Sequence, residues 1–284
     1  MYNNSYTLIT GASEGFGKSL ALECAQRKMN LILVALPGEE LQQLGQFIES
    51  EFSVKTVCLA HDLTVKEECQ LLLKEVTEKK LSVNMLINNA GIGGTHFFKE
   101  RDAAFYQKQI ELNVTAPTLL IYLFLKILQD NSPSYILNVS SLAGFFCMPM
   151  KQVYGGTKSY LLSFSKSLHL ELKPKNIFVS TVCPGGMNTT LAQVLQNRSL
   201  AGISRWSVMN PEEVARITIN KMMQKKEIII PGYWNRFFLL LNRLLPGTLK
   251  EWILLLRMKK TLTKPIPRNR YTNNHTLQTS SFTI

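Results

Sequence analysis

At 284 residues, with 45% apolar residues and a mean hydropathy near zero, the chain suits a soluble globular protein of one large domain or two small ones. Its net charge of +12 is uneven: residues 233–284 carry nine basic residues and one acid, Glu251, which points that segment at an anionic partner, membrane or nucleic acid. The five scattered cysteines have neither CxxC nor framework spacing, which excludes a disulfide scaffold and predicts reduced, mostly core thiols in a cytosolic setting.

The N-terminus, MYNNSYTLITG, has no basic region followed by a long apolar run, so no signal peptide is expected. A strand is predicted at Tyr6–Thr10, running into Gly11-Ala12-Ser13-Glu14-Gly15-Phe16-Gly17 and a helix over Gly15–Arg27. Glycines in such a turn let the backbone approach a pyrophosphate, and the helix N-terminus offers free N–H groups to it. The glycines alone also fit an ordinary βα turn; the flanking strand and helix are what the phosphate reading requires. Further strands are predicted at Leu31–Ala35, Lys55–Leu59, Asn84–Asn88, Ser134–Ser140, Ile177–Val182 and Glu227–Ile230, with helices such as Glu39–Glu51 and Thr64–Lys79 between them. Strands rich in Val, Ile and Leu without strict alternation belong to a parallel sheet covered on both faces. Repeated βα units give a Rossmann-type, doubly wound α/β fold of about seven strands, read as one catalytic domain over residues 1–232.

The stretch QVYGGTK places Tyr154 and Lys158 four residues apart, on one helical face. A lysine there stabilises a phenolate and makes the tyrosine a usable proton donor near neutral pH; the alternative is a solvated helix turn. In a hydride-transfer site Tyr154 serves as general acid, or as base in the oxidative direction. Ser140 and Ser141 end the strand YILNVSS, where either hydroxyl could orient a substrate oxygen or cap the strand.

The pattern TGxxxGxG, with Asn88-Asn89-Ala90-Gly91, Asn113, Ser141, Tyr154, Lys158 and Pro184-Gly185 in order, resembles the classical short-chain dehydrogenase/reductase family over roughly residues 5–232. The resemblance implies a catalytic set of Asn113, Ser141, Tyr154 and Lys158. Lys158 would also hold the nicotinamide ribose, and the Asn113 backbone would kink and hold a water that relays protons to Lys158. It implies cofactor contacts at Gly11, Ser13, Gly15, Phe16, Gly17, Asp62, Asn89, Ala90, Gly91, Tyr154, Lys158, Pro184, Gly185 and Thr189. An acid at the end of the second strand would favour NAD and a base NADP; Ala35-Leu36-Pro37-Gly38 supplies neither. Glu14 stands where a base often marks NADP use, whereas Ser13 could bond a 2′-phosphate with no evident carboxylate to repel it. NADP(H) is favoured over NAD(H). The four histidines show no metal spacing, and no metal is expected.

A loop over Leu191–Met209 is rich in apolar residues and reads either as a lid for a lipophilic substrate or as a helix on the core. Beyond Pro231-Gly232, Tyr233–Leu245 and Thr248–Lys260 read as two short basic amphipathic helices, and a mobile basic tail is predicted from Thr261 to Ile284. No stretch of this segment approaches the ~18–20 apolar residues of a membrane span. The 233–260 pair could lie on an anionic membrane, pack on a second subunit or roof the active-site mouth. No nucleic-acid-binding signature accompanies it. The expected function is oxidoreduction of a lipophilic ketone or secondary alcohol, 3-oxoacyl or steroid-like, by a homo-oligomeric protein that is cytoplasmic or peripheral at a membrane. The rivals are a non-catalytic nucleotide sensor and a membrane-surface adaptor.

Overall fold

The structure is a computed structural model that describes residues 5–189, 194 and 206–262, with the side chains of 253 and 257–262 excepted. Seven parallel strands form one sheet in the order β3-β2-β1-β4-β5-β6-β7. They are β1 (Ser5–Thr10), β2 (Asn30–Ala35), β3 (Thr56–Ala60), β4 (Ser82–Asn88), β5 (Ser134–Val139), β6 (Ile177–Val182) and β7 (Ile228–Ile229). All seven predicted strands are present, with edges shifted by one or two residues. The chain reverses its direction of travel across the sheet between β1 and β4, and such a switch point opens a ligand crevice at the strands' carboxyl ends.

The strand side chains divide by the two-residue period of an extended chain. Ile9, Leu31, Leu33, Ile87, Leu137 and Val182 face one core. That core is closed by α1 (Gly15–Gln26), α2 (Glu39–Phe52) and α7 (Pro211–Met223). Leu8, Ile32, Val34, Leu86, Ile136 and Val179 face the other, with α3 (Lys66–Glu78), α5 (Ala116–Asp130) and the end of α6 (Gln152–Leu172). Each such residue contributes about 1.5–3 kcal/mol by leaving water, which is why the sheet resists displacement at the ends where the site forms.

The region around Asn113 departs from a plain helix. Between α4 (Ala103–Ile110) and α5, residues Glu111–Thr115 form a π-helical turn. Pro117, four residues after Asn113, has no N–H to donate to the Asn113 carbonyl, so the regular ladder cannot continue there. Ala103–Asp130 as a whole is long and apolar enough to cross a membrane by composition. Its inner face, including Leu120, Ile121, Phe124 and Leu128, is buried against the sheet.

The chain divides into two compact units, residues 1–244 and 245–284. The first contains the sheet and α8 (Tyr233–Leu244); the second contains α9 (Gly247–Leu262), whose Leu249, Trp252, Leu255 and Leu256 are exposed. The tail predicted from Thr261 begins inside α9, which ends at Leu262, and residues 263–284 lie outside the described residues.

Candidate active site

The glycine turn after β1 is built by close backbone approach. Gly11 and Gly15 adopt left-handed φ of +63° and +56°. A Cβ on Gly17 would stand 1.9 Å from the Gly11 carbonyl oxygen, so only glycine lets α1 begin this near the strand end. Asn89 clamps the turn from β4: its Nδ2 donates to the Thr10 and Gly11 carbonyls at 3.0 and 3.1 Å. The Thr10 hydroxyl in turn accepts the N–H groups of Asn89 and Ala90 at 3.0 and 3.1 Å. Thr189 crosses from the end of β6 to within van der Waals reach of a Cβ on Gly15. Ser13 is half-buried beside the turn, whereas the Phe16 side chain is buried in the core, leaving its backbone as the part that faces the turn.

Ser141, Tyr154, Lys158 and Asn113 come together at the carboxyl ends of β4 and β5. Ser141 is extended, and its hydroxyl accepts the Ala143 N–H at 3.1 Å. Burial pushes the Tyr154 phenol up, while a hydrogen bond with Ser141 pulls it down. The net shift is opposite to the one that Lys158 alone would give. Lys158 Nζ lies 5.7 Å from the Tyr154 ring centre and donates to the Val139 carbonyl at 2.8 Å. Burial brings its ammonium down to about 8. The neighbouring Cys183 thiol is driven up to about 12 by its own burial. It therefore stays a neutral neighbour of the lysine.

Ser140 faces away from Ser141, as alternation requires, and donates to the Lys158 carbonyl at 2.7 Å, fastening α6 to the strand end. Asn113 spends its amide on the chain after β4, accepting the Ile92 N–H at 2.8 Å and donating to the Ile92 carbonyl at 2.9 Å and to Thr157 at 3.1 Å. A Cβ on Gly91 would be 3.0 Å from Asn113 Oδ1 and 3.4 Å from Lys158 Nζ. Glycine at 91 therefore keeps open the space beside the lysine. These open cradles, at the glycine turn and beside Lys158, fit a dinucleotide laid across the strand ends.

Asp62 stands apart, at the end of β3. Partial burial raises its carboxyl, but hydrogen bonds from the Thr64 hydroxyl and N–H, at 2.7 and 3.0 Å, outweigh that and hold it below its ordinary value. At the end of β2, Ala35-Leu36-Pro37-Gly38 carries no carboxylate, but one stands in the helix that follows. Glu40, in the first turn of α2, folds back so that its Oε2 is 2.7 Å from where a Cβ on Gly38 would stand. A helix N-terminus attracts such a carboxylate, and a glycine leaves room for it.

Three contributors escape a motif reading: Thr157, Gln109 and Asn138. Gln109 Nε2 donates to the Ile92 carbonyl at 3.1 Å. Asn138 links Asn88 to Ser165 by two bonds of 2.8 Å. No sequence spacing carried a signal for any of them. Of the apolar loop over Leu191–Met209, residues 191–193 and 195–205 lie outside the described residues. Trp206, at its end, packs on Trp234 of α8 with ring centres 4.6 Å apart. Among the described residues no group of His, Cys, Asp and Glu is arranged to hold a metal.

A sequence model of the short chain dehydrogenase family matches residues 5–199. The very-long-chain 3-oxoacyl-CoA reductase of Macaca fascicularis is 31% identical over 193 residues, 66% of this chain and 61% of that protein, so the match spans less than two thirds of the relative's length. The hydroxysteroid dehydrogenase-like protein 1 of Gallus gallus is 27% identical over 253 residues, 87% of this chain and 73% of its own. Among solved structures, a short-chain dehydrogenase from Sphingobium yanoikuyae in complex with NADPH superposes with a TM-score of 0.73 at 26% identity, covering 96% of this chain and all of that one.

Proposed function

The chain belongs to the short-chain dehydrogenase family, and from that premise we propose that it is an NAD(P)(H)-dependent oxidoreductase that interconverts a ketone and a secondary alcohol. The carrying observation is the convergence of the Ser141 hydroxyl and the Tyr154 phenol beside a buried Lys158 at the mouth of the sheet. A bound nicotinamide supplies the hydride, or takes it in the oxidative direction. Ser141 orients the substrate oxygen, and Tyr154 delivers a proton to it from Oη. Lys158 keeps a positive charge near the phenol as it ionises. Asn113 holds Ile92 and Thr157 so that this wall does not shift.

The glycine turn at Gly11, Ser13, Gly15 and Gly17 would hold the pyrophosphate, Asp62 the adenine, and Asn89, Ala90 and Gly91 the ribose side. Pro184, Gly185 and Thr189 would line the nicotinamide. NADP(H) is the proposed carrier, supported by Ser13 and by the NADPH held in the Sphingobium relative; Glu40 over Gly38 weighs toward NAD(H). A lipophilic substrate, 3-oxoacyl or steroid-like, accords with the names of the two relatives and with the aromatic residues Trp206 and Trp234.

The protein is further proposed to be a cytoplasmic homo-oligomer with peripheral membrane contact. Exposed Tyr122 on α5 and Leu170 on α6 support a subunit interface. Tyr233, Phe237, Leu240 and Leu241, exposed on a helix whose charged residues are Arg236 and Arg243, support contact with an anionic surface. The deciding experiment follows NADPH and NADH oxidation with acyl, steroid and small diketone substrates, wild type beside Tyr154→Phe. Turnover lost in the variant establishes the reductase. Cofactor binding without turnover on any ketone favours the sensor. Liposome binding without either favours the adaptor.

A further inference from the structure

Asn235, in the first turn of α8, is 1% exposed, and only one side of its amide is matched. Its Nδ2 donates to the Pro231 carbonyl at 2.8 Å, while no donor reaches its buried Oδ1. An orphaned buried acceptor costs on the order of 1–3 kcal/mol, so an apolar side chain of the same shape would be the cheaper occupant unless the amide has a task.

Three separate stretches of backbone close on this amide. A Cβ on Gly185 would stand 2.6 Å from Asn235 Oδ1, 2.9 Å from its Nδ2 and 2.8 Å from the Ser207 carbonyl oxygen. A Cβ on Gly232 would stand 3.0 Å from Nδ2 and 2.7 Å from Met209 Sδ. The first two stretches are also bonded to each other, Met209 N–H donating to the Gly186 carbonyl at 3.0 Å. From Gly185 the connection to the site is one residue long: the Pro184 carbonyl accepts the Leu142 N–H at 2.9 Å, and Leu142 follows Ser141.

We propose that Asn235 is a positioning residue that sets Pro184–Gly185 and, through Leu142, the placement of Ser141 against Tyr154. α8 is then part of the catalytic unit rather than an appendage to it. The effect on turnover rests on the oxidoreductase reading; the effect on the Pro184–Leu142 bond does not. Misplacing a reacting group by about 1 Å costs on the order of 100-fold in rate, which sets the scale.

The test compares wild type, Asn235→Ala, Asn235→Leu, Gly185→Ala and the Gly185→Ala/Asn235→Ala double variant in the full chain. Two readouts are taken: amide hydrogen exchange at Leu142, and kcat and KM with NADPH and a ketone that the wild type reduces. Exchange at Leu142 should quicken at least tenfold in Asn235→Ala and Asn235→Leu, with β1 and β2 amides unchanged. kcat should fall ten- to hundredfold while KM moves less. The double variant should lose less than the product of the single losses, because the alanine methyl at 185 then meets no amide. A merely structural role would lower melting temperature and quicken amide exchange throughout the sheet, with normal kinetics in the folded fraction. Unchanged Leu142 exchange in both Asn235 variants overturns the proposal, whatever the activity. Faster Leu142 exchange in a wild-type-inactive protein would sustain it and overturn the oxidoreductase reading instead.

Discussion

The side-chain amide of Asn113 takes both backbone groups of Ile92, accepting its N–H at 2.8 Å and donating to its carbonyl at 2.9 Å. One residue thus ties the π-helical turn before α5 to the loop that follows β4. Asn113→Leu leaves the Ile92 N–H without its acceptor, at on the order of 1–3 kcal/mol, while the Ile92 carbonyl keeps the Gln109 amide. The variant should melt several degrees lower and turn over at least tenfold more slowly. Calorimetry with steady-state kinetics checks this, and normal values for both would show that Ile92 is held by other means.

Tyr154→Phe removes the proton donor and leaves the ring. kcat should drop by about 10²–10⁴, the usual worth of a positioned acid, while NADPH affinity by fluorescence titration stays within about twofold. Ser141→Ala should show a smaller loss of the same kind. If Tyr154→Phe keeps more than a tenth of wild-type kcat, another group supplies the proton.

Lys158 supplies a pH dependence. Burial lowers its ammonium to about 8, so the free enzyme loses that charge above this pH. kcat/KM in the reductive direction, which reports the free enzyme, should fall through about pH 8. The stability effect has the opposite slope. Between about pH 8 and its ordinary 10.5 the unfolded chain binds more protons at this site than the folded one, so the lysine's contribution rises with pH. Below pH 8 the cost of burying its charge is present in full. Wild type minus Lys158→Met, followed by urea titration from pH 7 to 10, isolates this group from the raised thiols of Cys24 and Cys183. A flat difference would remove the shifted lysine from the account.

Gly17→Ala places a methyl group where the Gly11 carbonyl oxygen already stands. Backbone must move, and the glycine turn with it. Cofactor affinity should fall at least a hundredfold in a protein whose circular dichroism remains that of an α/β fold. Unchanged affinity would mean that the phosphates bind elsewhere.

Glu40→Lys exchanges the carboxylate over Gly38 for a cation. The ratio of kcat/KM for NADPH over NADH should rise at least tenfold, since a 2′-phosphate would meet an ammonium in place of a carboxylate. A ratio that does not move places the ribose outside the reach of this side chain.

The strands were legible because each is a short run rich in apolar residues, and those in the middle of the sheet are buried on both faces; the sequence of β4, SVNMLIN, has no other use for Met85, Leu86 and Ile87. The candidate site at the glycine turn, Ser141, Tyr154 and Lys158 was legible because the proposed chemistry needs those side chains at fixed separations along the chain. Asn235, Gln109 and Asn138 were not. Their partners lie 50, 27 or 17 residues away, or are backbone groups, and no local spacing encodes such a contact. Glu40 carried no signal for a related reason: its approach to Gly38 depends on a rotamer at the helix end, not on its distance from β2. The upward shift of Tyr154 was missed because a helical i, i+4 pair reveals the neighbouring charge but says nothing about how deeply the pair is buried.

Ser140 and Ser141 divide two jobs between adjacent residues, one fastening α6 and the other meeting Tyr154, and β5 is paired along its length with β6. An insertion of one residue ahead of them would therefore exchange the two roles, turning the anchor toward the substrate and the donor into the core. An insertion of two would restore the facing but lift both hydroxyls off their partners by the length of a dipeptide. This strand end has no neighbouring frame in which it still works, whereas at the far ends of the strands a residue more or less would alter only a loop.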